Sequence, residues 1–467
     1  MKKKTKVKKP SSFSPWQNNS QSGYVPYIDL KGNELFSIED IGFTNEELFH
    51  EKPNDFEIWG TKKEPKKQKI YTVHSPGVKP IYGDNRNFPV ALVSPEGDTL
   101  NLKISIKTKE VLPIYAGSCQ TLDIAFLGRP AVGKTTYISQ LSDPAFHETL
   151  SRGLAVSIME SIYGDTSGKS QYEKFLHDLK YEGVFPPPTV FSPNTITPNI
   201  YYLTYDDGEP RHCLLRLHDL DGEQCLNIGF NNTALKFKYL YLCVGADELL
   251  FSGNNGGQQY YKKILSRVLQ NLTVKGGLDS CQIMVVITKA DLLLKNLPDP
   301  CLQPVISNSL DMTADGELVL KSNADGFSYV EFNRRETAIK KFLQKNYPGF
   351  YLMLKTMVPG PVHYSMIASI GNAPDKGNTF SQSQYEPFCI DMPIARTLAD
   401  LGMCKIAVEE DNTEAPKEER VSGLGGNRNK NGTSEKSFFR RFKEKILIHD
   451  EDDDEEFEDD TYGEYTR

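Results

Sequence analysis

The spacing of apolar residues changes character near residue 120. Before it, short runs alternate apolar and polar residues and are separated by turn-forming residues; these runs include VPYIDL, QKIYTVHS, PVALVS and LNLKISIKT, with SPEGD as a turn between the last two. Such alternation predicts β-strands with one buried face. No stretch has the periodicity of a long helix. We therefore predict a small all-β domain over residues 23–119.

From residue 120 onward, continuous apolar runs alternate with helical patterns. The predicted strands are TLDIAFLG, CLLRLHDL, ELLFSG, QIMVVITKAD and HYSMIASI, and the predicted helices include KTTYISQL, QQYYKKILSRVLQNL and RRETAIKKFLQK. Strands that alternate with helices indicate an α/β fold, a mostly parallel sheet with helices on both faces. We assign this domain to residues 120–408.

The two ends of the chain differ from these domains in composition. Residues 1–22 are basic and polar, 409–435 read as a linker, 436–449 as a basic amphipathic helix, and 450–467 as an acidic tail with eleven acidic residues and one Arg. We expect residues 1–22 and the acidic tail to be disordered. The helix at 437–448 has apolar residues at helical spacing and is a candidate for docking to another protein subunit. The alternatives are a short helix folded back on its own domain and a disordered tail paired with basic segments. The acidic run disfavours an anionic membrane.

Charge and cysteine usage exclude several classes of protein. The formal net charge is −8, and since the acidic tail carries −10 of it, the rest of the chain is nearly neutral at +2. A neutral body lacks the basic surface of a nucleic-acid-binding protein. The eight cysteines are scattered without a CxxC pair, and no apolar run is long enough for a membrane span or signal peptide. These features predict a cytoplasmic protein.

A phosphate-binding loop is predicted directly after the first strand of the α/β domain. The sequence GRPAVGKTT has the spacing GxxxxGK[ST], in which backbone N–H groups surround the β-phosphate, the lysine reaches the β and γ oxygens, and the hydroxyl binds Mg²⁺. The predicted nucleotide contacts here are Gly128, Ala131, Val132, Gly133, Lys134, Thr135 and Thr136. A second loop, GDTSGKS at 164–170, has one residue too few between its glycines, and we interpret it as a loop before a helix.

The next strand end predicts a second part of the metal site. The strand RHCLLRLHDL ends in Asp219, and Gly222 follows three residues later. In a DxxG element of this kind, the Asp holds Mg²⁺ through water and the Gly N–H contacts the γ-phosphate. Thr135 and Asp219 are therefore the candidate metal-binding residues, and Lys134 and Gly222 are candidates for a catalytic role at the γ-phosphate.

Two further strand ends carry residues that distinguish the bases. IMVVITKAD ends in Thr288, Lys289 and Asp291. The Asp291 carboxylate could accept hydrogen bonds from N1–H and the 2-amino group of guanine, an arrangement that adenine lacks, while the Lys289 stem packs along the base. After the last strand, a backbone N–H of Ala368 or Ser369 could meet guanine O6. These elements predict a GTP or GDP site.

In this order, the motifs resemble those of P-loop GTPases of the translation-factor-related class. Within it, the chain is most similar to a bacterial double-GTPase-like family linked to multi-gene conflict and defence systems, through GVFPPPTV at 183–190, DLDGE at 219–223 and MPIARTLADLG at 392–402. The likeness covers residues 120–408. It implies a Mg²⁺-dependent GTPase that acts as a switch or regulatory subunit. It also implies a switch threonine that contacts Mg²⁺ and the γ-phosphate, with Thr189 as first choice and Thr195 and Thr197 as alternatives.

The chain departs from this family in features that concern catalysis. Glu223 stands where many GTPases have a glutamine that orients water, and its charge opposes the γ-phosphate, which predicts slow intrinsic turnover. No internal arginine finger is identified, and ELLFSGNN lacks the Asp that relatives often carry after this strand. Two alternatives remain open: a nucleotide-stabilised scaffold that scarcely hydrolyses, and an ATPase motor or nucleotide kinase.

Overall fold

The computed structural model describes residues 24–28, 34–45, 69–83, 88–160, 171–186, 199–220, 239–251, 256–274, 281–296, 299–302, 305, 310–312, 318–320, 326–358, 360–371 and 387–408. All of them belong to one compact unit, Met1–Glu409; the other unit is Glu410–Arg467. The predicted basic N-terminus, linker, amphipathic helix and acidic tail lie outside the described residues.

The described residues before 120 are β-structure, as their alternation predicts. Eight short strands form three small antiparallel sheets: β1 Tyr27–Ile28, β2 Glu34–Leu35, β3 Ile41–Thr44, β4 Lys79–Tyr82, β5 Pro89–Val93, β6 Thr99–Leu100, β7 Leu102–Ser105 and β8 Val111–Leu112. The only helix among the described residues of this region is the 3₁₀ turn Ile38–Asp40. The SPEGD turn is confirmed, because the Ser94 hydroxyl accepts the N–H groups of Glu96 and Asp98 at its centre.

One strand predicted in this region is wrong. Among the described residues of QKIYTVHS, 69–75, only Tyr71 pairs, in an isolated bridge with Phe43. The chain then turns, because the Ser75 hydroxyl accepts the Thr72 N–H at 2.8 Å and the Ser75 N–H bonds the Thr72 carbonyl at 3.0 Å. Local hydrogen bonds of a serine side chain thus replace the bonds of a strand.

A seven-stranded sheet forms the centre of the chain, in the spatial order β10–β11–β12–β9–β13–β14–β17. Its strands are β9 Gln120–Leu127, β10 Val156–Glu160, β11 Asn199–Tyr205, β12 Arg211–Asp219, β13 Tyr239–Gly245, β14 Gln282–Thr288 and β17 Val362–Met366. A separate antiparallel hairpin pairs β15 Leu310–Met312 with β16 Leu318–Leu320. Strands β12, β9, β13, β14 and β17 pair in parallel, and β10 and β11 continue the sheet antiparallel.

The described helices lie between these strands or after the last one. They are α1 Lys134–Gln140, α2 Pro144–Leu154, α3 Gln171–His177, α4 Ala246–Phe251, α5 Gly256–Val274, α6 Ala290–Asn296, α7 Tyr329–Asn346, α8 Pro348–Met357 and α9 Met392–Asp400. A π-helical turn, Asp178–Glu182, continues α3. The predicted strand ELLFSG is wrong, because its first residues lie in α4 and the strand is the preceding β13. A short apolar run such as ELLF fits either a strand or a helix. The preceding run forms the strand, and all seven residues of β13 are buried.

The two halves of the sheet are covered differently. One face packs against α1, α2 and α9 along its length. On the opposite face, α5, α7 and α8 cover the parallel half, whereas the β-rich segment covers β11 and β12, with its Tyr27, Phe43 and Phe88 in one core with Tyr202 and Leu214. A short connection, residues 206–210, joins β11 and β12, and the β-rich segment shields these two strands from water on this face.

Candidate functional site

The loop between β9 and α1, residues 128–133, is called the glycine loop here, and it requires glycine at both ends for different reasons. A Cβ at Gly128 would lie 2.4 Å from the Cys243 carbonyl oxygen, because the loop passes closely over the end of β13. Gly133 has a φ of 92°, in the left-handed region, and precedes α1 without a side-chain cap. Ala131 also has a positive φ, of 60°. The loop thus turns tightly from a buried strand into a helix.

A cation, a hydroxyl and a carboxylate meet at this loop. The Lys134 ammonium donates to the carbonyls of Gly128 and Arg129, at 2.8 and 2.9 Å, and the side chain is buried. The Thr135 hydroxyl donates to Asp219 Oδ2 at 2.5 Å. Asp219 is the last residue of β12 and is 2% exposed. Hydroxyl and carboxylate oxygens are the hard ligands that Mg²⁺ prefers, so this pair fits the predicted metal.

Arg129 belongs to the glycine loop, but its side chain contacts other elements. It forms an ion pair with Glu248 of α4 at 3.4 Å, and its guanidinium lies 5.2 Å from the ring centre of Tyr260 in α5. Tyr261 also donates to Glu248. Burial raises the pKa of Glu248, and the Tyr261 bond and the Arg129 charge oppose this only in part. These contacts anchor the Arg129 side chain to α4 and α5.

The predicted base-binding element is bonded directly to the glycine loop. The Thr288 hydroxyl donates to the Val132 carbonyl and also contacts the Val244 carbonyl at 3.3 Å. Lys289 follows with a φ of 53°, an uncommon conformation for a side-chain-bearing residue. Asp291 lies in the first turn of α6 and is buried. The Thr288 hydroxyl therefore holds the turn at residues 288–291 against the glycine loop.

Asp247 is a site residue that sequence reasoning missed. It lies two residues after β13, and its carboxylate accepts the Lys289 ammonium at 2.6 Å. A Cβ at Gly245 would lie 2.3 Å from Asp247 Oδ1, so glycine makes room for this carboxylate. The expectation that an acidic residue is missing after this strand is thus wrong. The strand had been assigned to ELLFSG, which placed its end several residues too late.

The loop after β17, residues 367–370, is called the corner loop here, and it lies beside the start of α6. The Ala290 N–H donates to the Ile367 carbonyl at 3.1 Å, and the Ile367 N–H donates to Ile287 at 2.8 Å. The Ser369 carbonyl accepts the Gln140 side-chain amide at 3.0 Å. Ser369, Asp291 and the glycine loop are therefore linked by short hydrogen-bonded paths at one edge of the sheet.

Some predicted site residues cannot be related to this geometry. Thr189, Gly222 and Glu223, the alternatives Thr195 and Thr197, and the GDTSGKS loop all lie outside the described residues. Thr136 lies in the first turn of α1 beside Thr135. The helix expected after GDTSGKS is present as α3. The roles of Gly222 and a switch threonine at the γ-phosphate, and of Glu223 at the attacking water, stay predictions.

A buried charged network lies on the opposite face of β12 from Asp219. Arg216 donates to both carboxylate oxygens of Asp123, at 2.7 and 2.8 Å, and to the Tyr27 hydroxyl at 3.2 Å. His218 contacts Asp123 Oδ1 at 2.7 Å. Burial alone would raise the pKa of Asp123, but Arg216 and His218 outweigh it and hold that pKa well below its usual value. The network joins the β-rich segment to the strand that ends in Asp219.

No family model matches this chain, and no curated protein is significantly similar to it. Among the residues that the structure describes, no helix is both long enough and apolar enough to cross a membrane. The function proposed below therefore depends on the geometry of the site and on the sequence motifs.

Proposed function

We propose that this protein binds GTP and GDP together with Mg²⁺, and that it hydrolyses GTP as a switch or regulatory subunit of a multi-protein system. The observation that carries the proposal is the bond from Thr288 to the Val132 carbonyl. It joins the candidate base-reading turn to the candidate phosphate loop. Ligands in open α/β sheets bind at the carboxyl ends of the strands, where both elements lie.

The residues of the glycine loop supply the phosphate-binding part of the proposal. Lys134 carries a buried positive charge whose present partners are two carbonyls of its own loop. Phosphate oxygens are stronger acceptors for an ammonium than neutral carbonyls. The Lys134 ammonium would therefore donate to the β- and γ-phosphates in place of these carbonyls. Bound Mg²⁺ would neutralise charge on the β- and γ-oxygens. Thr135 and Asp219 would hold it, with Thr189 as the third predicted ligand.

The residues after β14 and β17 supply the base-binding part. Asp291 offers a carboxylate to the N1–H and 2-amino donors of guanine. Asp247 holds the Lys289 ammonium, so the aliphatic stem of Lys289 is positioned to pack along the base. The Ser369 backbone would meet O6. Adenine carries an acceptor at N1 and a donor at position 6, the reverse of guanine, and would leave both polar partners unsatisfied.

The switching part rests on the sequence alone. Gly222 and Thr189 would contact the γ-phosphate and release it after hydrolysis. Glu223 would orient the attacking water, but its charge opposes the γ-phosphate, so we propose slow turnover that a partner accelerates. The cytoplasmic location, the protein partners and a role in a bacterial defence system rest on the composition and the family resemblance. Glu223 also favours the second candidate, a nucleotide-stabilised scaffold with little hydrolysis.

The test is calorimetric titration of GTP, GDP and ATP with Mg²⁺ into the full chain, followed by phosphate release. We expect guanine nucleotides to bind at least about 100-fold more tightly than ATP. Lys134→Ala should abolish the binding of GTP and of GDP. Lys341→Ala, a change on the exposed face of α7, should leave their binding intact. Equal affinity for ATP would contradict the guanine assignment. Tight GTP binding without phosphate release would favour the scaffold.

A further inference from the structure

The corner loop is held on several sides, and its backbone has few remaining donors. The Ile367 N–H bonds β14, and the Ala368 N–H donates to the Phe388 carbonyl at 3.1 Å. Phe388 in turn donates to the Ala368 carbonyl at 2.9 Å. Of the two N–H groups considered for guanine O6, that of Ala368 is thus engaged. Among the described residues, no backbone carbonyl accepts from the Ser369 N–H, so Ser369 is the better candidate.

Gln140 connects this loop to the helix that carries the phosphate-binding residues. It is the last residue of α1, which begins at Lys134, and it is fully buried. Its side-chain amide donates to the Ser369 carbonyl at 3.0 Å. The same helix is fixed one turn earlier, where the buried Tyr137 hydroxyl donates to the Ile390 carbonyl at 3.0 Å. A short, fixed helix therefore links the phosphate end of the site to the base end.

We propose that Gln140 is a positioning residue for guanine recognition: its bond to the Ser369 carbonyl sets the backbone of the corner loop so that the Ser369 N–H reaches guanine O6. The inference rests on the proposed function. Gln140 does not touch the nucleotide; it acts through Ser369. A buried amide that loses its acceptor is destabilising, so the bond holds the loop in one position rather than several.

The experiment is a cycle that combines Gln140→Ala with changes to the base. GDP, 6-thio-GDP and IDP are titrated into wild-type protein and the variant, with Mg²⁺ present. 6-Thio-GDP keeps N1–H and the 2-amino group but has a weaker acceptor at position 6; IDP keeps O6 and lacks the 2-amino group. Gln140→Glu is a second variant of the same size, whose carboxylate lacks the donor and repels the Ser369 carbonyl. Ser139→Ala is the control, because the Ser139 hydroxyl donates to the Thr135 carbonyl within α1 at 2.8 Å and so serves the helix itself.

We expect Gln140→Ala and Gln140→Glu to weaken GDP binding by about 5- to 10-fold, the effect of one hydrogen bond. The penalty for replacing O6 by sulfur should shrink by at least about 3-fold in both variants, since their corner loop no longer presents the donor. The penalty for losing the 2-amino group, which Asp291 reads, should stay unchanged. Ser139→Ala should resemble wild type in all three titrations.

Two results would overturn the inference. Equal weakening of all three nucleotides would assign Gln140 a general structural role, and unchanged GDP affinity would assign it none. The penalties for sulfur at position 6 and for loss of the 2-amino group are ratios of affinities within one variant, so a partly unfolded preparation does not alter them. Wild-type protein that fails to prefer guanine over adenine would instead refute the proposed function, and that titration is read separately.

Discussion

The buried pair of Arg216 and Asp123 gives the sharpest prediction about stability. Arg216 is 1% exposed and makes a two-pronged contact with the Asp123 carboxylate, so replacement by methionine keeps the bulk and removes the charge. The carboxylate would remain buried with His218 as its nearest donor, and the Tyr27 hydroxyl would lose its donor. Breaking a buried pair by removing one partner costs about 3–5 kcal/mol. We expect Arg216→Met to lower the free energy of unfolding by that amount.

A double-mutant cycle separates the pair from its surroundings. Asp123→Leu alone leaves a buried guanidinium, and should also cost about 3–5 kcal/mol. The double variant replaces both charges by apolar groups. It removes the Asp123 acceptor of His218 and the Arg216 donor of Tyr27, and each removal costs about 1–3 kcal/mol. Urea unfolding at pH 7, followed by far-ultraviolet circular dichroism, measures all three. A loss below about 1 kcal/mol for Arg216→Met, or a double loss equal to the sum of the singles, would refute this reasoning.

Three further predictions concern pH, the glycine loop and the ion pair beside the base. Burial lowers the pKa of His218 despite its carboxylate partner, so the native state binds fewer protons than the unfolded chain. The free energy of unfolding should therefore fall as pH drops below about 6.5, the pKa of a histidine in an unfolded chain. Urea unfolding at several pH values between about 5.5 and 7.5 measures this slope, and His218→Gln should flatten it. Gly128→Ala should abolish GDP binding in calorimetry because its Cβ collides with a carbonyl of β13, whereas Gly360→Ala, with open space around it, should not. Asp247→Ala should weaken GDP binding about 3- to 10-fold because it releases the Lys289 ammonium. The free energy of unfolding should change by less than about 1 kcal/mol, since the ion pair is partly exposed. Equal losses of GDP and ATP affinity in this variant would contradict the prediction.

The parallel half of the sheet was predictable because its signals are local. Residues 120–140 contain an apolar strand, two glycines at fixed spacing and an apolar helix pattern, and β9, the glycine loop and α1 follow in that order. The position of Thr288 and Asp291 at the end of β14 was predictable for the same reason, because an apolar strand directly precedes them. A buried parallel strand must be a continuous apolar run, so its end is visible in the sequence.

The errors arose where the sequence has two physical solutions or where partners are distant. ELLF satisfies a strand as well as a helix, and only the pairing of β13 with β9 and β14 decides between them. Local alternation predicts the strands of the β-rich segment, but it does not reveal that this segment covers β11 and β12. The partner of His218, Asp123, lies 95 residues away in the sequence, so no local motif reveals their contact. Gln140 and Ser369 are likewise far apart, at 229 residues.

The central claim is that Asp291 reads the base, and exchanging its chemistry tests this most directly. Xanthine differs from guanine by a carbonyl at position 2 in place of the amino group, and keeps N1–H. In Asp291→Asn, the amide oxygen can accept from N1–H while the amide nitrogen donates to the new carbonyl. A matched polar pair is exchanged for another, so the variant should gain a ligand rather than only lose one.

The measurement is calorimetric titration of GDP and XDP, with Mg²⁺, into wild-type protein and Asp291→Asn. The account predicts that wild type binds GDP at least about 100-fold more tightly than XDP, because the 2-carbonyl of XDP would face the Asp291 carboxylate. The variant should reverse this preference and bind XDP at least about 100-fold more tightly than GDP. A gain of XDP binding cannot come from a misfolded variant. A variant that keeps its preference for GDP, or a wild type that binds both nucleotides alike, would contradict the assignment of Asp291 and with it the proposed guanine site.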